Sequence, residues 1–192
     1  ELLVAEGCHV GFCARQADQV DECVKALSGK GPTVIGGVAD VTDSAGLRAW
    51  VTETAEALGG LDIVIPNASA LGPRADEDAW RNGLEVDVLG TVRAVEAAMP
   101  YLEKSKAAAI VGIASTGAVN TPGEVRAYGG LKAALINYLS GLSNNLGSKG
   151  IRVNTVSPGA IFFEGGVWDI RKREAPERFE ATVKRSPMGR LG

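Results

Sequence analysis

The chain is predicted to fold as an open α/β structure, a doubly wound parallel sheet with helices on both faces. Three observations predict it. Short apolar runs alternate with longer stretches of helical period along the whole length, as in strands joined by helical crossovers. The longer stretches carry their apolar residues on one face. Polar or conformationally special residues follow each short run, where open sheets of this kind bind ligands.

Residues 1–7 read as the tail of a helix. The runs 9–14 and 33–38 are short, apolar and strand-like. Leu47, Val51, Ala55 and Leu58 then share one helical face, and Gly59-Gly60 stops that helix. A third strand is expected over 61–66. Leu84, Val88, Val92, Val95, Met99 and Leu102 mark a long helix over about 76–104. The run 107–114 is the fourth strand. Leu131, Leu135, Tyr138, Leu142 and Leu146 mark a second long helix over about 124–148. The fifth strand is 151–156. After Pro158 the pattern changes to Gly165-Gly166, Trp168 and a charged stretch reaching Pro187, so 159–187 reads as loop and short helices above the sheet. No repeat or low-complexity linker interrupts the pattern, and 1–192 reads as one domain.

Hydrophobic residues make up 45% and charged residues 22%, which places the chain among globular rather than disordered proteins. A net charge of −3 argues against a nucleic-acid surface. The densest basic run, Arg171-Lys172-Arg173, is followed by Glu174 and reads as a solvated helix face. No apolar stretch approaches the roughly 20 residues that span a bilayer, and no signal peptide is visible, so a cytoplasmic protein is expected. Cys8, Cys13 and Cys23 do not pair evenly and, with His9, lack metal-binding spacing. Reduced thiols and no metal are expected.

The chemistry concentrates in Ser115, Tyr128 and Lys132. Tyr128 and Lys132 are four apart in a predicted helix and so lie one turn apart on one face. An ammonium that close favours a phenolate and should pull tyrosine down from its ordinary value of about 10. Such a phenol can protonate a carbonyl oxygen or deprotonate an alcohol. Ser115 closes the fourth apolar run and can hydrogen-bond the same substrate oxygen. Arg15, Asp40, Asn67, Ser115 and Pro158-Gly159 follow successive strands and suggest one long cleft.

These residues resemble the short-chain dehydrogenase/reductase family, including its 3-oxoacyl reductase-like members, over essentially the whole chain. Asp40-Val41-Thr42 is similar to the family's acidic turn, whose aspartate contacts adenine. Pro66-Asn67-Ala68-Ser69 stands where the family has Asn-Asn-Ala-Gly. Ile113-Ala114-Ser115 resembles the catalytic-serine strand, and Tyr128 and Lys132 the catalytic pair. The segment from Arg152 to Ile161, with Pro158 and Gly159, resembles the one that passes the nicotinamide. The resemblance implies a Rossmann sheet and hydride transfer between a nicotinamide cofactor and a carbonyl or secondary alcohol. Tyr128 would be the general acid in reduction, Ser115 would orient the carbonyl oxygen, and Lys132 would also hold the nicotinamide ribose. The family often forms dimers or tetramers through its two long helices, here 76–104 and 124–148.

NADP(H) is expected over NAD(H), which stays possible. Ala14 stands where an NAD enzyme carries an acid for the ribose 2′-hydroxyl, and the next residue, Arg15, suits a 2′-phosphate. Phe162, Phe163 and Trp168 open the substrate-loop region and predict an apolar carbonyl or alcohol substrate. Two other readings stay open: a cofactor-binding regulator or scaffold without turnover, and an epimerase or dehydratase of the same family.

The chain departs from the family pattern at several places. Asp87 replaces the helix asparagine of the proton relay. Its carboxylate could pair with Lys132 and make Tyr128 harder to ionise, or its backbone carbonyl alone could serve. Pro66 removes an amide donor, and Ser69 replaces a glycine in the same turn. Phe163 stands where a threonine commonly bonds the carboxamide. No Gly-x-x-x-Gly-x-Gly run occurs, so the first strand, its phosphate loop and a C-terminal strand are expected to lie outside these 192 residues. The strands 9–14 and 33–38 would then flank a slot about 10 Å across, twice the usual strand spacing.

Overall fold

The computed structural model describes residues 1–120 and 125–192. A short helix α1 (Leu2–Ala5) precedes five parallel strands alternating with helices. The strands are β1 (Val10–Ala14), β2 (Val34–Val38), β3 (Ile63–Val64), β4 (Ala109–Ile113) and β5 (Arg152–Val156). Each lies within a run expected to be extended. The most trimmed is β3, where Pro66 brings no amide hydrogen to prolong a ladder.

The strands form two sheets. In one, β1 and β2 pair in parallel from Val10 opposite Val34 to Ala14 opposite Val38. In the other, the order is β3-β4-β5, with Ile63 opposite Ala109 and Ala109 opposite Arg152. This corrects the expected position of the slot. The strands at 9–14 and 33–38 do not flank it but bond directly to each other. The reason lies in α2 (Ala17–Leu27), which packs on both strands as a compact crossover. Its Val20 and Val24 sit so close over Gly36 that a Cβ there would come within 2.7 Å of Val20 and 2.6 Å of Val24. The slot lies instead between β1 and β3. It is a trough of about 1760 Å³ lined by Val10, Phe12 and Ala14 on one side and Ile63, Val64 and Ile65 on the other.

Helix α3 (Ser44–Ala57) begins at Asp43, whose carboxylate accepts from the amides of Ala45 and Gly46 at 3.1 Å each. The stretch expected as one helix over 76–104 is helical from Glu77 to Leu102 but not uniform. It comprises α4 (Glu77–Gly83), a π-helical turn Leu84–Leu89 and α5 (Gly90–Leu102). The apolar period does not reveal that turn, because Leu84, Val88 and Val92 keep a spacing of four that an uninterrupted α-helix would also show. Asp76 caps α4 by accepting from Ala79 N at 3.0 Å. The second long helix, α6, runs Ala127–Leu146. Its expected start at Glu124 lies outside the described residues, and Arg126 is extended, so α6 begins at Ala127. Two further helices, α7 (Val167–Glu174) and α8 (Pro176–Arg185), follow β5.

The core joins Leu47 and Val51 of α3, Val95, Ala98 and Leu102 of α5, Ile110 of β4 and Leu139 of α6. Close approach of α6 to β4 fixes the site described below. At Gly112 a Cβ would lie 2.1 Å from Leu139 Cδ1, and Leu139 is fully buried. Gly112→Ala should therefore force Leu139 off its seat and destabilise the protein by about 1–3 kcal/mol. A urea titration of the full-length protein checks this, and an unchanged midpoint would contradict the tight contact.

Candidate active site

Lys132 is the centre of the site. It lies on α6, buried at 2% exposure, and its Nζ donates to the Ile113 carbonyl oxygen at 2.8 Å. Ile113 ends β4, two residues before Ser115. The Lys132 ammonium is 5.7 Å from the centroid of the Tyr128 ring, one turn earlier on α6. One side chain thus ties the tyrosine's helix to the serine's strand. Ser115 itself is half-buried and caps the 3₁₀ turn Thr116–Ala118, accepting from Gly117 N at 3.1 Å.

Asp87, in the π-helical turn, meets the same ammonium. Its Oδ1 lies 3.1 Å from Lys132 Nζ, and Asp87 is 1% exposed. Of the two alternatives for this residue, the carboxylate does pair with Lys132. Its backbone carbonyl meanwhile accepts the Thr91 hydroxyl at 2.7 Å. The carboxylate also accepts from Ser69 Oγ at 2.6 Å and from Ala70 N at 2.8 Å. Burial of a charge this deep requires such partners. Among the described residues Lys132 has two protein partners, Ile113 O and Asp87 Oδ1, and a third N–H remains for a ligand.

The residues expected along the cofactor side follow one strand end after another. Arg15 is exposed just past β1. Asp40 lies two residues past β2. The amide and hydroxyl of Thr42, with the Arg15 charge nearby, hold its carboxyl below the usual carboxylate range. Asn67 and Ala68 follow β3 and are exposed along the trough. Val41 is held from behind: Arg93 donates to its carbonyl at 3.2 Å and pairs with Glu85 at 2.8 Å. Pro158 follows β5, and its carbonyl accepts from Thr116 N at 3.0 Å, while Gly159 and Ile161 are exposed beside it. The Arg15 guanidinium and Asp40 carboxylate at one end of this row, and the Lys132 ammonium at the other, are the charged and hydrogen-bonding groups available to a dinucleotide.

The three aromatic residues of the loop are not equivalent. Phe162 meets Phe179 of α8 edge-on at 6.1 Å, with the Lys172 ammonium 5.5 Å above its ring. Trp168 stacks under Arg171 at 4.7 Å. Phe163 remains 62% exposed. Two residues of the basic run, Arg171 and Lys172, therefore cover aromatic rings, which adds to their expected role as a solvated face. Among the described residues no cluster of His, Cys, Asp and Glu could hold a metal, and no helix is long and apolar enough to cross a membrane. Cys8, Cys13 and Cys23 are free thiols, and burial pushes Cys13 up.

Residues 1–166 match the family described as short chain dehydrogenase. The chain belongs to the short-chain dehydrogenase/reductase family. It is 37% identical over 194 aligned positions to isoepoxydon dehydrogenase patN of Penicillium expansum, covering 99% of this chain and 75% of that protein. It is 28% identical over 196 positions to 3-oxoacyl-[acyl-carrier-protein] reductase FabG of Staphylococcus aureus, covering 99% and 77%. A Serratia marcescens short-chain dehydrogenase/reductase variant superposes with a TM-score of 0.89 at 27% identity, covering all of this chain and 77% of that one. The chain is therefore an oxidoreductase of this family, carrying part of its Rossmann-like fold.

Within that family frame, sequence reading did not place three contributors to the site. Arg93 holds the turn at Val41, Ser69 bonds Asp87, and the Ile113 carbonyl seats Lys132. Ser69 was visible as a departure from the glycine pattern, whereas the other two left no signal without coordinates. The buried pair carries a clear expectation. Lys132→Met leaves the Asp87 carboxylate buried without its cation and should destabilise the enzyme by about 3–5 kcal/mol. Adding Asp87→Asn should recover part of that loss. Thermal unfolding of both variants checks this, and equal stability of the single and double variants would contradict it.

Proposed function

We propose that this enzyme reduces the carbonyl of an apolar substrate to a secondary alcohol, or runs the reverse reaction, with NADP(H) as partner. The observation that carries the reading is the Lys132 ammonium, buried on the Ile113 carbonyl and set 5.7 Å from the Tyr128 ring. When bound, the nicotinamide supplies or accepts the hydride, which no side chain can do. Tyr128 is the proton donor to the carbonyl oxygen in reduction and the acceptor in oxidation. Ser115 donates to the same oxygen and orients it. Lys132 faces the phenol and keeps one N–H for the cofactor ribose. The Ile113 carbonyl seats Lys132, Asp87 balances its charge, and Arg15, Asp40, Val41, Asn67, Ala68, Pro158, Gly159 and Ile161 form the cofactor side.

Arg15 supports the preference for a 2′-phosphate, because a guanidinium donates two parallel bonds to such an anion. Phe163, the most exposed of the loop aromatics, supports an apolar substrate, with Phe162 and Trp168 stiffening the segment behind it. Aromatic ketones, steroids and fatty-acyl thioesters share that character. A homodimer or homotetramer through the helices spanning 77–102 and 127–146 completes the proposal.

Tyr128→Phe in the full-length protein should lower turnover by more than about tenfold with NADPH affinity retained, since only the proton donor is lost. A variant keeping more than about a tenth of wild-type turnover would remove Tyr128 from the role of acid. NADPH should outcompete NADH in equilibrium binding, and Arg15→Ala should erase most of the difference; a wild-type preference for NADH would overturn the assignment. In a panel of acetophenone, cyclohexanone, pyruvate and oxaloacetate, the apolar ketones should turn over faster. Faster reduction of the two keto acids would sink the apolar-substrate reading.

A further inference from the structure

Two departures from the family pattern, Ser69 and Asp87, touch each other. The Ser69 hydroxyl donates to Asp87 Oδ1 at 2.6 Å, and the same oxygen faces Lys132 Nζ at 3.1 Å. The two lengths differ in a telling direction. A hydroxyl on a carboxylate at 2.6 Å is at the short, charge-assisted length, whereas ammonium–carboxylate bonds are commonly about 2.7–2.9 Å. Lys132 hydrogen-bonds the Ile113 carbonyl at 2.8 Å, while its 3.1 Å contact with Asp87 is an ion pair. The carboxylate therefore leans on the serine and the Ala70 amide, and the ammonium leans on β4. An unrestrained buried carboxylate and ammonium would close on each other, because their attraction is poorly screened there.

We infer that Ser69 is a positioning residue, whose hydroxyl holds the Asp87 carboxylate back from Lys132 so that the ammonium stays seated at Ile113, facing Tyr128. The inference rests on the proposed role of Tyr128 and Lys132. The serine is itself well anchored for this task. Its Oγ accepts from the Leu71 amide at 3.2 Å, and Leu71 holds φ +52, a conformation unfavourable for a non-glycine residue that needs a restrained loop. The same loop, from Ala70 to Arg74, walls a cavity of about 300 Å³ that Asp87, Tyr128 and Leu131 also line. One hydroxyl thus connects the wall in front of the tyrosine with the charge behind it. A glycine at position 69 provides no such donor.

The test is a kinetic cycle in the full-length enzyme with NADPH and acetophenone or cyclohexanone, whichever turns over faster. Ser69→Ala should lower kcat about tenfold, the order expected for losing one hydrogen bond to a charged group. In the Asp87→Asn background the same change should cost less than about twofold, because no carboxylate remains to draw Lys132 away. Ser69→Thr, which keeps the hydroxyl, should stay within about threefold of wild type. An equal factor in both backgrounds, or no loss in Ser69→Ala, overturns the inference. Should Ser69→Ala fail to fold, Ser69→Cys, a weak donor of similar size, is read in the same two backgrounds. Tyr128→Phe separates the two levels: if it remains active the proposed chemistry fails, and if it is dead while the cycle is multiplicative only the role of Ser69 fails.

Discussion

A carboxylate and an ammonium share the interior of this protein, and much of the site is arranged around their needs. Taking two charges out of water is expensive, and their attraction repays it only when the remaining bonding capacity is also met. Here it is met from three directions. The loop after β3 supplies Ser69 and Ala70, the end of β4 supplies a carbonyl, and the π-helical turn carries the acid. No buried side-chain N or O atom among the described residues lacks a partner. The pair therefore ties three separate segments to α6, which carries the tyrosine.

Packing supplies the rigidity that the polar contacts presuppose. Where α6 crosses its neighbours, small residues face large ones. Gly83 of α4 lies under Leu131, Gly130 under Trp80 and Gly112 under Leu139. Each leaves no room for a methyl group, so the helix sits at one depth and one rotation. Gly130 lies between Tyr128 and Lys132 in sequence, so the residues of the motif are seated by the same contacts that close the core.

Much of the architecture was legible in the sequence because its signals are periodic. Apolar runs and one-sided stripes follow from burial, and they located every strand and the long helices. Features set by single residues were harder to read. Nothing in the apolar spacing of Leu84 and Val88 announces a π-helical turn, and the neighbour of each strand depends on how α2 packs rather than on the strands themselves, so the slot was expected between the wrong pair. The polar site was half legible for the same reason. Tyr128 and Lys132 stand at a spacing that carries chemistry, and Ser115 closes a run. The bond between Ser69 and Asp87 joins positions 18 apart through side chains, which no local pattern records.

The π-helical turn also sets a counting constraint. A helix rotates about 100° per residue, so one residue added within a turn swings everything before it relative to everything after. On one side of Leu84–Leu89 the helix presents Trp80 and Gly83 to α6, and on the other it presents Val95, Ala98 and Leu102 to the core. The same rod thus serves two sets of neighbours, one on each side of the turn. Deleting any one residue of the turn would unwind that offset and rotate α4 away from α6, even if the residue removed touched nothing. The length of this segment is accordingly as restricted as its chemistry, and insertions or deletions there should be far less tolerated than substitutions of its exposed side chains.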